Sequence, residues 1–186
     1  RRILAQYGAV LDKFIGDCAF AWWPGCGAVI REQAVRAARA LLEITPPAGL
    51  VMECGVALHC GEAALCRMPD SSFTLLGSQV NTAFRMESLT RQLGHPLLVS
   101  ARFCEDWPDP PFHFSACGSH SLKGLPEPVQ VFAVLPDPVP VPRAEAPKPR
   151  VPVLPEATMA EVERQLSSQG KAAMGYLGHS YGSEYD

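Results

Sequence analysis

The chain has 186 residues, of which 47% are hydrophobic and 19% are charged, and its formal net charge is −3. These values predict one packed domain with a tail, and they exclude the basic surface that duplex nucleic acid requires. No apolar stretch approaches the 18 or more residues of a membrane span. The seven cysteines form no CxxC pair, so neither a disulfide framework nor a zinc site is indicated. A reducing cytoplasm is the expected compartment.

The order of the predicted elements is typical of an α/β sandwich in which helices pack on a sheet. Apolar and β-branched residues predict strands at 9–15, 18–23, 50–60, 96–99, 112–117 and 128–134, and a hairpin at 61–75. Apolar residues at helical spacing predict helices at 27–44 and 78–93 and a helical turn at 101–107. Ser78 is the predicted N-cap of the second helix, and Gly94 ends it. His59 is predicted to lie on the polar face of its strand.

The C-terminal part of the chain has a different composition. Eight of the twenty residues from Pro136 to Pro155 are proline, which predicts a stiff, extended linker over residues 136–157. Thr158-Met-Ala-Glu161 is a capping-box sequence, so residues 158–169 are predicted to form one short amphipathic helix. Residues 170–186 are rich in Gly, Ser and Tyr and are predicted to be disordered.

Two short segments carry side chains suited to a nucleotide. The segment Asp12-Lys13-Phe14-Ile15-Gly16-Asp17 places a lysine and an aspartate four residues apart around a glycine turn. The ammonium group can contact a base or a phosphate, and the carboxylate can hold a divalent cation. In the second segment, Asn81 and Arg85 lie at positions i and i+4 of the predicted helix. They therefore share one helix face, from which both can reach a single ligand.

These segments, together with His59-Cys60-Gly61 and Leu122-Lys123-Gly124 in the same order, resemble the catalytic domain of the class III adenylate and guanylate cyclases. The resemblance covers residues 1–135 and implies the ferredoxin-like α/β fold of that family, with helices packed on a mostly antiparallel sheet. It also implies that two catalytic domains, as a homodimer or as a paired cyclase domain, form two sites at their interface. Each site then takes metal-binding carboxylates from one copy, and base-reading and transition-state residues from the other.

The resemblance implies a role for each matching position. Asp17 would hold one of two Mg²⁺ or Mn²⁺ ions. Lys13 and Thr74 would contact the purine base, and Asn81 would orient the ribose. Arg85 would contact the α-phosphate, and Lys123 would contact the triphosphate.

The substrate expected from these residues is ATP, with 3′,5′-cyclic AMP and pyrophosphate as products. Lys13 can only donate hydrogen bonds, which suits the acceptor N1 of adenine better than the protonated N1 of guanine. The pairing of Lys13 with Thr74 resembles the bicarbonate-responsive subgroup of adenylate cyclases. Two alternatives remain open: a guanylate cyclase, and a non-catalytic cyclase-like module for regulation or dimerisation.

In the resembled family, the first metal-binding aspartate lies in an opening strand, farther upstream than the 16 residues that precede Asp17 here. The sequence is therefore expected to begin inside the domain, with an upstream sensor or regulatory domain in the parent protein. This fragment alone is expected to be inactive, because it supplies one of the two carboxylates.

Overall fold

A seven-stranded sheet forms the centre of the protein, and a second sheet has two strands. The computed structural model describes residues 1–46, 53–69, 73–137 and 171–180. The strands are β1 Val10–Ile15, β2 Cys18–Pro24, β3 Glu53–Glu62, β4 Ala64–Arg67, β5 Phe73–Leu76, β6 Leu97–Ser100, β7 Phe114–His120, β8 Val129–Val134 and β9 Lys171–Ser180. The helices are α1 Arg2–Gln6, α2 Ala28–Leu42, α3 Ser78–Glu87, α4 Leu89–Leu93 and α5 Ala101–Cys104. In these parts of the chain, no helix has the length and apolar character needed to span a membrane.

The large sheet has helices on both faces. Its strand order is β1-β2-β9-β3-β6-β8-β7; β3 and β6 run parallel, and the other described neighbours run antiparallel. Val56 and Leu58 of β3 pack on the face covered by α1, α2 and α5, whereas Ala57 packs on the face covered by α3 and α4. This alternation follows from the two-residue period of a strand. The predicted α/β fold with a mostly antiparallel sheet is confirmed.

Lys171–Ser180 form strand β9, whereas disorder was predicted for residues 170–186. Residues 171–180 lie in the middle of the large sheet and pair antiparallel with β2 on one side and β3 on the other. Met174 is fully buried in a cluster with Phe20 and Trp22. Gly175 fits closely against Leu58 and Trp23, where an added Cβ atom would come within 3.1 Å of the Leu58 side chain. Backbone pairing on both edges and these contacts determine the strand, whereas the local composition has little β propensity. The predicted linker beyond Asp137 and the helix at 158–169 lie outside the described residues.

The predicted helix at 78–93 is divided into α3 and α4 at Ser88. The Ser88 hydroxyl donates a hydrogen bond of 2.8 Å to the carbonyl of Arg85, and the Thr90 hydroxyl donates one of 2.7 Å to the carbonyl of Glu87. Hydroxyl groups that bond to nearby backbone compete with regular helical hydrogen bonds. The break therefore comes from the two hydroxyl residues at the junction.

The ends of this helical region are determined by two glycines. Gly94 ends α4 with a φ of 68°, as predicted. At the other end, the prediction that Ser78 is the N-cap is wrong, because Ser78 is already helical and Gly77 precedes it with a φ of 151°. Only glycine adopts that backbone conformation at low cost.

We expect Gly55→Ala to destabilise the protein by about 1–3 kcal/mol, because β3 and α4 are in close contact at this point. A Cβ atom at Gly55 would lie 2.1 Å from Thr90 Oγ1 and 2.9 Å from Thr90 Cβ. Gly27→Ala is the comparison variant, because a Cβ atom there meets nothing within 4 Å and the substitution affects only the N-cap of α2, with an expected loss of less than about 1 kcal/mol. Urea unfolding of both variants measures the effect. Equal free energies of unfolding for the two variants would contradict this packing.

Candidate active site

The C-terminal half of β1 carries Lys13 and a β-bulge. Leu11 pairs with Ala21 and Lys13 pairs with Phe20, so Asp12 is an extra residue in the strand. A bulge interrupts the alternation of side chains along a strand. Consecutive residues Asp12 and Lys13 form an ion pair here, with 3.3 Å between Oδ1 and Nζ. The Lys13 side chain is 40% exposed and that of Asp12 is 1% exposed, so a ligand can approach the lysine.

Lys13 lines a cavity of about 460 Å³ between β1, β5 and α3, and Asn81 lines the same cavity. The rest of its wall is formed by largely apolar residues, namely Ile15, Phe20, Leu75, Leu76, Gly77, Val80 and Phe84. Apolar walls with a few polar groups are typical of small-molecule sites. The structure thus brings together two predicted site residues that are 68 positions apart in the sequence.

Helix α3 presents Asn81 and Arg85 on its exposed side, one turn apart. The opposite side of the helix is buried against the sheet through Ala83 and Met86, so the orientation of the two polar residues follows from the apolar pattern. The Arg85 guanidinium lies 5.8 Å from the centroid of the Phe84 ring, and Phe84 is part of the cavity wall. Arg85 therefore lies next to the cavity but is not one of its described lining residues.

Asp17 is exposed in the turn between β1 and β2. Burial raises the pKa of Glu87 on α3; the neighbouring Arg91 opposes this rise, and the charge of Asp17 adds to it. Cys18, the residue after Asp17, lines the same cavity as Glu87, so this turn lies near the C-terminal end of α3 in its own chain. Asp17 does not line the cavity that Lys13 and Asn81 share.

The described residues fit one position of the predicted two-metal site and not the whole of it. Within residues 1–46, 53–69, 73–137 and 171–180, no group of three or more His, Cys, Asp or Glu side chains could hold a metal ion. The Asp17 carboxylate is a suitable hard ligand for Mg²⁺ or Mn²⁺ when phosphate oxygens and water complete the coordination. The second carboxylate of such a site has no counterpart among these residues.

Thr74 and Lys123 are not among the described residues that line the cavity. Thr74 is buried in β5, where its hydroxyl donates a hydrogen bond of 2.8 Å to Asp12 Oδ1. Thr74 is thereby connected to Lys13 through a single carboxylate oxygen. Lys123 is exposed in the connection between β7 and β8. The direct ligand contacts expected for these two residues stay predictions.

Sequence reasoning missed the contributions of Asp12 and His59. The signal for Asp12 was an acidic residue inside a strand, directly before Lys13, although a regular strand would direct consecutive side chains to opposite faces.

His59 is 2% exposed and hydrogen-bonds to Ser100 at 2.7 Å and Gln79 at 2.8 Å. His59 is therefore buried. The prediction that it lies on the polar face of its strand is wrong.

Comparison with curated proteins finds adenylate cyclases, whereas no family model matches the chain. The chain is 34% identical over 136 residues to the photoactivated adenylate cyclase subunit alpha of Euglena gracilis. The match covers 67% of this chain and 13% of that protein. It is 31% identical over 140 residues to adenylate cyclase 2 of Rhizobium meliloti (strain 1021). This match covers 69% of this chain and 39% of that protein. The chain thus spans well under half the length of these relatives.

Solved structures agree with the sequence relatives. A bacterial light-regulated adenylyl cyclase matches with a TM-score of 0.54 and 29% identity, covering 72% of this chain and 70% of the other. An adenylate cyclase from Trypanosoma brucei matches with a TM-score of 0.57 and 16% identity, covering 72% and 73%, and supports the fold alone. On the combined basis of sequence relatives and fold, the chain belongs to the class III nucleotidyl cyclases.

Proposed function

We propose that this chain is an adenylate cyclase domain, which converts ATP into 3′,5′-cyclic AMP and pyrophosphate at a site shared by two copies. The observation that carries the proposal is the cavity in which Lys13 and Asn81 meet between apolar walls. The relatives from Euglena and Rhizobium carry the name adenylate cyclase. Since the chain spans only 13% and 39% of those proteins, the activity of the whole protein is part of the proposal.

The cavity has the features that a purine nucleoside requires. Its apolar walls can cover a flat base, and Lys13 can donate to the acceptor N1 of adenine. Asn81, on the α3 side, carries an amide that can both donate to and accept from ribose hydroxyls. Arg85 lies one helical turn farther along, and its guanidinium would contact the α-phosphate. Base, ribose and phosphate would thus be bound in order by Lys13, Asn81 and Arg85.

In the proposed reaction, the ribose 3′-oxygen attacks the α-phosphorus and its proton passes to water. A P–O bond forms while the bond from the α-phosphorus to the bridging oxygen breaks, and pyrophosphate leaves with that electron pair. The Arg85 guanidinium donates to the phosphoryl oxygens on which negative charge increases, a contribution of about 3 kcal/mol. Asp17 of the second copy would hold a divalent cation, whose charge would neutralise the phosphates and lower the pKa of the 3′-hydroxyl.

Exposed apolar side chains around the cavity support the pairing of two copies. Ile15, Leu76 and Phe84 are 48%, 51% and 37% exposed, and all three line the cavity. Contiguous exposed apolar side chains mark interfaces and ligand grooves. A second copy on this surface would cover them and could bring its own Asp17 towards Asn81 and Arg85. Activity per molecule should then increase with protein concentration.

We further propose a role in intracellular signalling, in which a sensor or regulatory domain of a longer protein controls this pairing. None of the seven cysteines, all of which lie in the described part of the chain, forms a disulfide, which suits a reducing cytoplasm. A sensor that brings two copies together would switch activity on, because each site needs residues from both.

The proposal is tested by incubating the chain, and a longer parent protein that contains it, with Mn²⁺ and ATP. We expect the parent protein to form cyclic AMP and pyrophosphate in equal amounts, faster at higher protein concentration. Chromatography of the nucleotides measures the first product, and a coupled pyrophosphate assay measures the second. Absence of cyclic AMP from both proteins would contradict the proposal.

We expect the double variant Lys13→Glu with Thr74→Cys to shift the preference from ATP towards GTP by about tenfold or more. A carboxylate at position 13 accepts from guanine N1–H, whereas the ammonium can only donate. Initial rates with each nucleotide give the ratio of kcat/KM values. Arg2→Glu, a charge reversal at an exposed position of α1, should keep the original ratio. If the double variant also keeps it, the base assignment is wrong.

A further inference from the structure

We propose that Asp12 is a positioning residue that sets the purine preference by holding both base-reading side chains. Asp12 Oδ1 accepts from the Thr74 hydroxyl at 2.8 Å and lies 3.3 Å from Lys13 Nζ, and Asp12 Oδ2 accepts from the Leu75 N–H at 2.8 Å. With its side chain 1% exposed, Asp12 acts through these neighbours. The inference rests on the proposed function for the identity of the ligand.

The contacts of Asp12 join two sheets. β1 belongs to the large sheet and β5 to the small one. Lys13 is on β1, whereas Thr74 and Leu75 are on β5. A buried carboxylate is tolerated only when it is paired and hydrogen-bonded, and here both oxygens have partners. The bulge at Asp12 turns this carboxylate towards β5, so the distance between Lys13 and Thr74 is set by Asp12.

The hydrogen bond to Asp12 also decides what Thr74 can offer a ligand. A hydroxyl has one proton, and a carboxylate has none. Because Thr74 donates its proton to Asp12, its oxygen is left as an acceptor towards any ligand. Lys13 can only donate. The pair therefore presents one donor and one acceptor in a fixed order.

This fixed order matches adenine and opposes guanine. Adenine has an acceptor at N1 and a donor amino group on C6, whereas guanine has a donor at N1 and an acceptor oxygen on C6. If Lys13 faces N1 and Thr74 faces the group on C6, adenine is matched at both positions and guanine at neither. The discrimination thus depends on a residue that does not touch the base.

Asp12→Asn should remove this discrimination at almost constant side-chain volume. The amide oxygen is required by the Leu75 N–H, so the NH₂ group must face Thr74 and Lys13. Thr74 then accepts from the amide and directs its own proton towards the ligand, and Lys13 loses its counter-charge. We expect the preference for ATP over GTP to fall about tenfold.

The experiment uses the longer parent protein and compares the wild type, Asp12→Asn and the control Asp109→Asn, which makes the same chemical change at an exposed position between α5 and β7. One readout is the ratio of kcat/KM for ATP and GTP with Mn²⁺. The other is calorimetric binding of the α,β-methylene analogues of ATP and GTP. We expect Asp12→Asn to lower both ratios about tenfold and Asp109→Asn to leave them unchanged. A merely structural role would weaken both nucleotides equally, and an unchanged ratio would overturn the inference.

The two readouts separate this inference from the proposed function. If the wild type forms no cyclic nucleotide but binds the ATP analogue preferentially, and Asp12→Asn loses that preference, the inference stands and the proposed function fails. If the wild type is active and the variant keeps its ratio, only the inference fails. If the wild type binds neither analogue, both fail. Should Asp12→Asn not fold, Thr74→Val replaces it, since that variant removes the acceptor at similar volume and must also lose the ATP preference.

Discussion

Arg85→Ala is expected to lower the kcat of cyclic AMP formation by about 10²-fold or more without unfolding the protein. Arg85 is exposed on α3, so its truncation leaves no cavity in the core. Because the guanidinium acts on charge that increases in the transition state, kcat should fall more than KM rises. Initial rates of the parent protein at saturating Mn²⁺-ATP measure kcat, and urea unfolding measures the stability of the fold.

Arg91→Ala is the control for this prediction. Arg91 is exposed on α4, beyond the break at Ser88 and six residues after Arg85, and it has no assigned contact with the nucleotide, so its truncation should leave kcat close to that of the wild type. Equal kcat values for the wild type and Arg85→Ala would remove the arginine from the mechanism.

The same variant tests whether the site is shared between two copies. Asp17→Ala and Arg85→Ala should each be inactive alone, whereas an equal mixture should recover roughly a quarter of wild-type activity. Random pairing makes half of the dimers mixed, and each mixed dimer has one site with an intact Asp17 and an intact Arg85. If both residues served the site of their own chain, the mixture would show no recovery.

Acidification is expected to reduce the free energy of unfolding by about 3 kcal/mol through His59 alone. Burial lowers the pKa of His59 from 6.5 to about 4; the hydrogen bond to Gln79 opposes this shift, and the charge of Arg102 favours it. The neutral ring is fully bonded when the Ser100 hydroxyl donates to Nδ1 and Nε2–H donates to Gln79. Ser100 Oγ also accepts from the Phe103 N–H at 3.1 Å, so protonation of Nδ1 would disrupt this arrangement.

The sign of the effect follows from the difference in proton binding. Above pH 6.5, His59 is neutral in both states and has no pH-dependent effect. Between pH 6.5 and about 4, the unfolded chain binds a proton that the folded chain does not, so stability falls with falling pH. Urea unfolding across this range measures the change. His59→Gln should flatten the profile relative to the wild type. Parallel profiles for the wild type and His59→Gln would contradict the prediction.

Local patterns in the sequence were sufficient for most of the described fold. The hairpin of β1 and β2, helix α2, and the apolar side of β3 that contains Val56 and Leu58 were predicted within a few residues of their observed bounds. Helix α2 buries one face, so its helical periodicity carries the information, whereas β2 and β3 are buried on both faces and are recognised as short apolar runs. The placement of Asn81 and Arg85 on one face of α3 was also predictable, because a helix brings positions i and i+4 to one side.

Contacts between distant parts of the chain decided the rest. β9 is a strand because two neighbouring strands and the cluster around Met174 bind it, and its own composition predicts no such structure. Asp12 meets Thr74, 62 residues later, because a bulge turns its carboxylate towards a strand of another sheet. A one-residue bulge has no periodic signal, and a pairing over such a separation is determined by packing. The sequence alone therefore determined which side chains are available for a nucleotide, and the tertiary structure determined which of them act on one another.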